Sequence, residues 1–415
     1  MSEEKRRVLE LAERYVCPGR VRTFRALGVE LVIGRREGYR FWDLDGRELL
    51  DLHLNGGVFN LGHRNPELVA TLRDALDTLD VGNHHFPSAA RAELGETLAR
   101  LTPGDLQYSV FASGGGEAID LALKTARHAT KRRKIVSIAK GYHGHTGLAL
   151  AAGDERFSRM FLSEGAPGEF VQVPWNDLEA MASALAGDDV AAVVLETIPA
   201  TFGFPPPAPG FLAGVRALCV RHGALYVADE VQTGLGRTGT LWAVEQHGVE
   251  PDILVTGKGL SGGLYPIAAT VLSRRVAGWL DEDGWGHVST FGGAEVGCRV
   301  AQRVLEITTR PAVVANAKAV SQHLGDGLEA IRRRHPEWLL EIRRAGLVFG
   351  LRFADPQGAI WMTRALFECG LWAMFAAHDT SVLQFKPGLL ADAELCDEML
   401  ARFEAGIVRC RSARD

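Results

Sequence analysis

Two short apolar runs between residues 224 and 263 each lead to a charged side chain, and this pattern constrains the fold strongly. Residues 225–228 (LYVA) are followed at once by Asp229, and residues 253–255 (ILV) are followed a few positions on by Lys258. Short apolar runs without alternation are typical of parallel strands that are buried on both faces. In open α/β sheets the carboxyl ends of such strands form the ligand-binding edge. The pattern therefore predicts an acid and a lysine at a binding edge.

Each of these residues also has an ordinary explanation, because acids at strand ends often cap helices and most lysines are solvated. Together they fit pyridoxal phosphate, which needs a lysine for a Schiff base and an acid to hold its protonated pyridine nitrogen. Gly234, Gly236 and Gly239 offer an alternative, since they match the G-x-G-x-x-G pattern of dinucleotide loops. No immediate strand-to-helix turn accompanies those glycines, which disfavours a nicotinamide-dependent dehydrogenase.

Composition excludes several other classes of protein. A net charge of −5 and a pI near 6.2 give no electrostatic reason to expect nucleic acid as a partner. The six cysteines are scattered without C-x-x-C spacing, and His84 and His85 have no further ligands at metal-site spacing, so we expect no metal. No apolar run is long enough to cross a membrane. We expect a cytoplasmic protein that does not bind membranes.

The order of predicted elements indicates an α/β fold. Strands and helices alternate from about residue 105 to 275, as in a doubly wound, mainly parallel sheet. Both ends of the chain fit an α+β arrangement, in which the first thirty or so residues form an amphipathic helix and an extended arm. We therefore predict an N-terminal arm and small sheet over 1–65, a large cofactor-binding domain over 66–295 and a C-terminal small domain over 296–415.

Two glycine-containing stretches supply further candidate ligands. Gly114 to Gly116 precede a helix, and the amide groups at such a helix start bind anions such as phosphate, although a flexible turn is the ordinary alternative. Tyr142 lies between glycines directly after a predicted strand. It would either stack on a planar cofactor or serve a structural role.

Taken together, these motifs resemble the class III, or ω-amino, aminotransferases that use pyridoxal phosphate and have fold type I. The resemblance covers nearly the whole chain, and its motifs are W-D-x-D-G at 42–46, L-G-H at 61–63, D-E-V-Q-T-G at 229–234, T-G-K-G at 256–259 and K-P-G at 386–388. It implies a large domain with a mainly parallel sheet, a smaller α+β domain formed by both ends of the chain, and pyridoxal 5'-phosphate as the cofactor.

The resemblance also implies roles for individual residues. Lys258 matches the Schiff-base lysine that moves the substrate proton, and Asp229 matches the acid paired with the pyridine nitrogen. Thr290 matches a threonine that reaches the phosphate of the neighbouring subunit, which implies a homodimer. The remaining cofactor contacts would be Gly115 and Gly116 to the phosphate, Tyr142 and Val231 on the two ring faces, Gln232 near the phenolic oxygen, and His143 and Glu196 nearby.

Departures from the family pattern bear on the substrate. Relatives that handle ornithine, acetylornithine or aminobutyrate usually carry Arg, Glu and Arg where this chain has His145, Thr201 and Gln384. Neither His nor Gln reproduces the bidentate grip of Arg on a carboxylate. We therefore expect a ω-amine, diamine or amino-sugar donor and a keto acid or aldehyde acceptor. Phe59 and Lys386 are further substrate candidates, and His145, Gln384 and Lys386 each remain open as the ligand of an acceptor carboxylate.

Gly116 is a further departure, because the family often has Ser or Thr there, and the phosphate would lose one hydroxyl donor. Other reactions also remain open on this scaffold. The same cofactor supports racemases, decarboxylases and phospho-lyases, since its ring stabilises any Cα carbanion. A catalytically silent assembly protein that keeps the fold is an alternative from another class.

Overall fold

The computed structural model describes residues 1–412 of the chain, and every structural statement below refers to them. The α-helices, in chain order, are α1 (Glu3–Tyr15), α2 (Pro18–Ala26), α3 (Pro66–Leu76), α4 (Ala89–Leu101), α5 (Gly115–Thr130), α6 (Gly147–Ala152), α7 (Glu155–Met160), α8 (Leu178–Leu185), α9 (Phe211–His222), α10 (Trp279–Glu282), α11 (Glu295–Thr308), α12 (Pro311–Arg334), α13 (Gly358–Glu368) and α14 (Ala393–Ser412).

The strands follow the same numbering convention. They are β1 (Ile33–Glu37), β2 (Arg40–Asp43), β3 (Glu48–Asp51), β4 (Leu106–Ala112), β5 (Lys134–Ile138), β6 (Phe170–Val173), β7 (Val190–Glu196), β8 (Leu225–Asp229), β9 (Ile253–Thr256), β10 (Ala268–Ser273), β11 (Leu339–Ala345), β12 (Val348–Phe353), β13 (Leu371–Trp372), β14 (Met374–Ala376) and β15 (Asp379–Phe385). Short 3-10 helices cover Leu54–Gly57, Ala243–His247 and Lys258–Ser261.

The larger compact unit comprises Pro66–Thr201 and Pro205–Pro311. Its sheet has seven strands in the order β4-β10-β9-β8-β7-β5-β6, and β10 runs antiparallel to both of its neighbours while the other pairs are parallel. Every residue of β7 and β8 is buried, as expected for strands with helices on both faces. The predicted fold class, a mainly parallel doubly wound sheet, is therefore confirmed.

The carboxyl ends of the parallel strands all meet at one edge of this sheet. Asp229 ends β8 and pairs in register with Glu196 at the end of β7, and β9 ends two residues before Lys258. The loop after β5 and the loop between β4 and α5 leave the sheet at the same edge, because these strands run in the same direction. This edge is where open α/β sheets bind ligands.

The smaller compact unit comprises Met1–Asn65, Phe202–Phe204 and the described residues from Ala312 onward. It contains two four-stranded sheets, in the orders β1-β2-β3-β13 and β11-β12-β15-β14. The predicted small antiparallel sheet after residue 30 is present as β1, β2 and β3, to which β13 adds a parallel strand. The structure groups the chain into two compact units, and the division into three domains remains a prediction from the sequence.

The segment Phe202–Phe204 depends on two close approaches within the smaller unit. The Arg343 guanidinium donates hydrogen bonds to the carbonyls of Phe202 at 3.0 Å and Gly203 at 3.3 Å. Gly203 has a φ of +74°, and a Cβ there would lie 2.3 Å from Cγ1 of Val382. Glycine is therefore required at position 203 by both backbone conformation and packing.

The extended arm predicted within the first thirty or so residues is in large part a helix. Residues 18–26 form helix α2, and Pro18 occupies its first turn, where a proline ring fits and no amide hydrogen is needed. Phe24 and Leu27 then pack against the buried residues Phe41 and Phe367. The weak periodicity of this short stretch hid the helix, whose formation depends on that packing.

No helix within residues 1–412 combines the length and apolar character needed to span a bilayer. His, Cys, Asp and Glu side chains in the same residues form no group of three or more suited to a metal ion. The rings of His84 and His85 lie 4.0 Å apart.

Candidate active site

A pocket of about 140 Å³ opens at the carboxyl edge of the large sheet. It joins residues that lie far apart in the sequence, because the loops after β4, β5, β7, β8 and β9 all reach it. Nine of the ten predicted cofactor residues line it, and their individual roles stay a prediction. The lining consists of Gly115, Gly116, Tyr142, His143, Gly144, Glu196, Asp229, Val231, Gln232, Thr233 and Lys258.

Asp229 is held by one hydrogen bond on each carboxylate oxygen. Oδ1 accepts from the Val231 amide at 3.1 Å, and Oδ2 lies 2.8 Å from Nδ1 of the buried His143 ring. Burial alone would lower the pKa of His143. The hydrogen bond to Asp229 and the charges of Asp229 and Glu196 outweigh burial, so this pKa lies above its ordinary value of 6.5. The hydrogen bond to Asp229 therefore favours the protonated form of the imidazole.

Glu196 anchors the loop that carries Tyr142. Its Oε1 accepts from the Tyr142 amide at 3.0 Å, and its Oε2 accepts from the Ala200 amide at 3.3 Å. Burial raises the pKa of this carboxyl, partly offset by the charge of His143. Tyr142 itself keeps 42% of its surface exposed, so its ring remains available to a ligand.

Lys258 begins the short 3-10 helix after β9 and points its partly exposed side chain into the pocket. Its backbone is left-handed, with φ +43°, and this conformation costs a non-glycine residue free energy. Desolvation lowers the pKa of its ammonium group, against the opposing charges of Asp229 and Glu196. A lysine with a lowered pKa supplies more of the neutral amine that attacks a carbonyl.

The start of α5 has the features of an anion cradle. The first amides of a helix have no partner within it, and α5 is 16 residues long, so its dipole favours a negative charge at Gly115 and Gly116. A Cβ on Gly115 would lie 3.1 Å from Val231, and a Cβ on Gly144 would lie 2.5 Å from Cα of Gly116. The absence of side chains therefore keeps these amides open to the pocket.

The groups that line the pocket match the chemical parts of pyridoxal phosphate. The pocket offers amides for a phosphate, an exposed aromatic face, a lysine with a lowered pKa and an acid placed by His143. The buried Nε2 of His143 has no hydrogen-bond partner among the described residues, which leaves a polar group for a ligand to satisfy. The cofactor predicted from the sequence therefore matches the chemistry of the site.

Glu230 has a structural role that sequence reasoning missed. It is buried and accepts four hydrogen bonds, from the hydroxyls of Thr197 at 2.7 Å and Thr233 at 2.5 Å and from the amides of Ala243 at 3.1 Å and Val244 at 2.9 Å. Burial raises the pKa of this carboxyl despite the four donors. A second acid directly after a ligand-binding acid was the available signal.

The glycines at 234, 236 and 239 belong to turns that lead to the 3-10 helix at 243–247. A Cβ on Gly234 would lie 2.8 Å from the Glu230 carbonyl and 2.9 Å from the Trp242 ring. Close packing therefore explains glycine at 234. A dinucleotide loop needs a direct strand-to-helix turn, and this segment has none.

The predicted substrate residues fall in both compact units. In the larger unit, the exposed His145 ring lies 5.3 Å from that of Tyr142 and 4.5 Å from that of Phe157, and the Thr201 hydroxyl donates to the Lys140 carbonyl at 3.3 Å.

In the smaller unit, Phe59 stacks on His63 at 3.9 Å. There the buried Lys386 ammonium donates to Oε1 of Gln384 at 2.7 Å and lies 5.8 Å from the Phe204 ring. Phe59, Gln384 and Lys386 therefore each contact a side chain of the smaller unit, and their roles toward a substrate stay a prediction.

Thr290 is the predicted cofactor residue that does not line the pocket. It is exposed in the loop between α10 and α11, beside Phe291, which is 56% exposed. Its role at the phosphate of a second subunit stays a prediction.

Comparison with known proteins extends these observations. The class III aminotransferase family model matches residues 25–407. An uncharacterized aminotransferase from Archaeoglobus fulgidus is 47% identical over 410 residues, covering 99% of this chain and 96% of the relative. Ornithine aminotransferase from Toxoplasma gondii ME49 has a TM-score of 0.88 at 26% identity, with 99% and 96% of the two chains covered.

A further solved structure is that of taurine:2-oxoglutarate aminotransferase from Bifidobacterium kashiwanohense, in complex with PLP and glutamate. It has a TM-score of 0.87 at 26% identity and covers 97% of each chain. The fold and the site define a pyridoxal-phosphate enzyme of fold type I. The chain belongs to the class III aminotransferases, which use pyridoxal phosphate.

The contact between His143 and Asp229 predicts a pH dependence of stability. Because the folded pKa of His143 is raised, its contribution is complete below the unfolded value near 6.5 and is lost as the pH rises through the folded pKa. His143→Asn keeps an amide donor but does not titrate, so we expect it to flatten this loss of stability with rising pH. Urea unfolding of the cofactor-free protein at several pH values between 6 and 9 measures the effect.

The control for this experiment is His128→Asn, at a partly exposed histidine that contacts Glu282 at 3.1 Å. We expect this variant to follow the wild-type pH profile. Equal pH slopes in the wild type and in His143→Asn would contradict the role assigned to the buried pair.

Proposed function

We propose that this enzyme moves an amino group from a ω-amine, diamine or amino-sugar donor to a keto acid or aldehyde by a ping-pong mechanism. The juxtaposition of Lys258 and Asp229 in one pocket carries the proposed catalytic assignment. The replacement of a carboxylate-binding arginine by His145 carries the donor assignment. The comparisons leave the donor open, because ornithine and taurine, the donors of two relatives, differ in their acidic groups.

Bound pyridoxal phosphate supplies an electron sink for negative charge at the substrate carbon. Lys258 would hold the cofactor through Nζ and, once displaced, would use the same atom to carry the proton in a 1,3-shift that starts at the substrate carbon. Asp229, oriented by His143 and the Val231 amide, keeps the pyridine nitrogen protonated. The amides of Gly115 and Gly116 bind the phosphate, and Tyr142 and Val231 position the ring, with Gln232 near its phenolic oxygen.

Lys258→Ala tests the catalytic assignment. We expect the wild-type protein to show a visible band with pyridoxal phosphate that borohydride fixes covalently, and we expect this variant to lack it. Its kcat should fall at least about 10³-fold, because both the covalent link and the proton transfer are lost. Absorbance spectra and a coupled transaminase assay measure both effects.

Lys318→Ala is the matched control, because Lys318 is an exposed lysine on α12. It should retain the band and the activity. Addition of donor alone should convert the wild-type cofactor to its amine form, which a racemase, decarboxylase or lyase would not accumulate. A Lys258→Ala protein that still transaminates would overturn the assignment.

A panel of donors tests the proposed substrate class. We expect primary amines and diamines that lack a carboxylate to have a kcat/KM about tenfold above that of ornithine and aminobutyrate, which both carry one. The reason is that no arginine at position 145 binds a donor carboxylate in a bidentate way. His145→Arg should narrow that ratio, whereas His128→Arg, a change outside the pocket, should leave it unchanged. Higher kcat/KM for ornithine or aminobutyrate in the wild type would show that the donor class is wrong.

We also propose that the enzyme is a homodimer in which Thr290 completes the phosphate site of the partner. The observations that support this are the exposure of Thr290 outside its own pocket and the exposed apolar side chains near it. These include Trp285, which is 63% exposed, Val288, which is 51% exposed, and Phe291.

Hybrid dimers of two chains, each defective at one residue of the site, test whether the site is shared. Co-expressed Thr290→Ala and Lys258→Ala chains would form one site that combines Lys258 of one chain with Thr290 of the other. In that hybrid we expect roughly half of the sites to bind pyridoxal phosphate with the wild-type affinity. Every site of a Thr290→Ala dimer should bind the cofactor about tenfold more weakly. A monomeric mass near 45.0 kDa in solution, or no recovery in the hybrid, would contradict the proposal.

A further inference from the structure

Position 116 is occupied by glycine, and the space next to it is filled by another residue. A Cβ built on Gly116 would lie 2.8 Å from Oγ1 of Thr146 and 3.5 Å from its Cγ2. The Thr146 hydroxyl therefore occupies the place into which a side chain at position 116 would grow. Packing therefore links the two positions: Gly116 has no hydroxyl, and the Thr146 hydroxyl fills the space beside it.

The Thr146 side chain does not cap the start of helix α6, which follows it. Thr146 is the N-cap residue of α6, yet its hydroxyl makes no capping hydrogen bond to that helix. The hydroxyl oxygen of a threonine at an N-cap ordinarily accepts a hydrogen bond from a backbone N–H in the first turn. The orientation of this hydroxyl toward Gly116 is therefore not explained by the stability of α6.

The surroundings of this hydroxyl are those of the anion cradle. Gly116 and Gly144 both line the pocket, and a Cβ on Gly144 would lie 2.5 Å from the Cα of Gly116, so the two loops meet here through bare backbone. Thr146 follows Gly144 by two residues and is exposed. A hydroxyl at this junction stands beside the first amides of α5, where a helix favours an anion.

We propose that Thr146 is a ligand of the cofactor phosphate, and that its hydroxyl replaces the one that Ser or Thr at position 116 would supply. This inference rests on the proposed placement of the phosphate at Gly115 and Gly116. A threonine hydroxyl donates one hydrogen bond to a phosphate oxygen, and hydrogen bonds to charged groups are stronger than neutral ones. Gly116 is then the residue that leaves room for this donor.

Titration of the cofactor-free enzyme with pyridoxal phosphate and with pyridoxal tests the proposal. Thr146→Val keeps the shape of the side chain and removes the hydroxyl, so the Kd for pyridoxal phosphate should rise about tenfold. The Kd for pyridoxal, which has no phosphate, should not change. Thr146→Ser keeps the hydroxyl and should match the wild type, and tryptophan fluorescence or absorbance reports the binding.

Gly116→Ser supplies the second arm of the experiment. In the Thr146→Ala background, which removes the atoms that a side chain at position 116 would meet, we expect it to restore much of the lost affinity. In the wild type it should not strengthen binding, because its Cβ would lie 2.8 Å from the Thr146 hydroxyl oxygen. Recovery of the affinity by a hydroxyl on the other residue is what a purely structural role of Thr146 would not produce. Should the valine variant fail to fold, Thr146→Ala carries the same comparison of the two ligands.

Two results would overturn the inference. The first is an unchanged Kd for pyridoxal phosphate in Thr146→Val, and the second is an equal loss for pyridoxal phosphate and pyridoxal. Failure of the wild-type protein to prefer pyridoxal phosphate over pyridoxal would instead overturn the proposed phosphate cradle itself. The two failures are therefore distinguishable in one set of titrations.

Discussion

The contact between Asp229 and His143 is the interaction on which the rest of the site depends. Asp229 ends a fully buried strand, and a buried carboxylate is costly unless hydrogen bonds compensate for its lost hydration. One donor is local, the Val231 amide, and the other is a histidine 86 residues earlier in the chain. The acid therefore cannot be fixed without also fixing the loop after β5. That loop carries Tyr142, whose amide Glu196 holds.

Electrostatics in the pocket follow from crowding several ionisable groups at one sheet edge. Burial raises the pKa of Glu196 and lowers that of Lys258, so it favours the neutral form of both. The contact with Asp229 acts in the opposite direction on His143, whose pKa is raised. A neutral lysine beside an acid with a fixed partner is the combination that carbonyl chemistry on a pyridine ring requires. The strained backbone of Lys258, with φ +43°, is the local cost of that placement.

The parts of the fold that follow from local pattern were predictable from the sequence. Strands β8 and β9 coincide with the two short apolar runs that predicted them. What long-range packing decides was not predictable. Helix α2 replaces an expected arm because its apolar side chains reach Phe41 and Phe367, which no local signal reveals. The four donors to Glu230 come from three separate segments, so its anchoring role becomes visible only in three dimensions.

The site shows the same division between motif and environment. The motif residues that line the pocket are recognisable one at a time, but the meaning of a substitution depends on its neighbour. Gly116 looks like the loss of a phosphate donor in the sequence, whereas in the structure its missing side chain leaves the space that Thr146 fills.

The substitutions at the substrate positions in the larger unit are likewise accommodated by their surroundings. His145 lies between the rings of Tyr142 and Phe157, and the Thr201 hydroxyl is satisfied by the Lys140 carbonyl. Arginine at 145 or glutamate at 201 would bring a charge into either setting. The rings of Tyr142 and Phe157 carry no positive charge that would bind a donor carboxylate, which suits a donor without one. Selection of the donor therefore resides in coupled groups of residues, and a single exchange at one of them changes only part of the environment that recognises the amine.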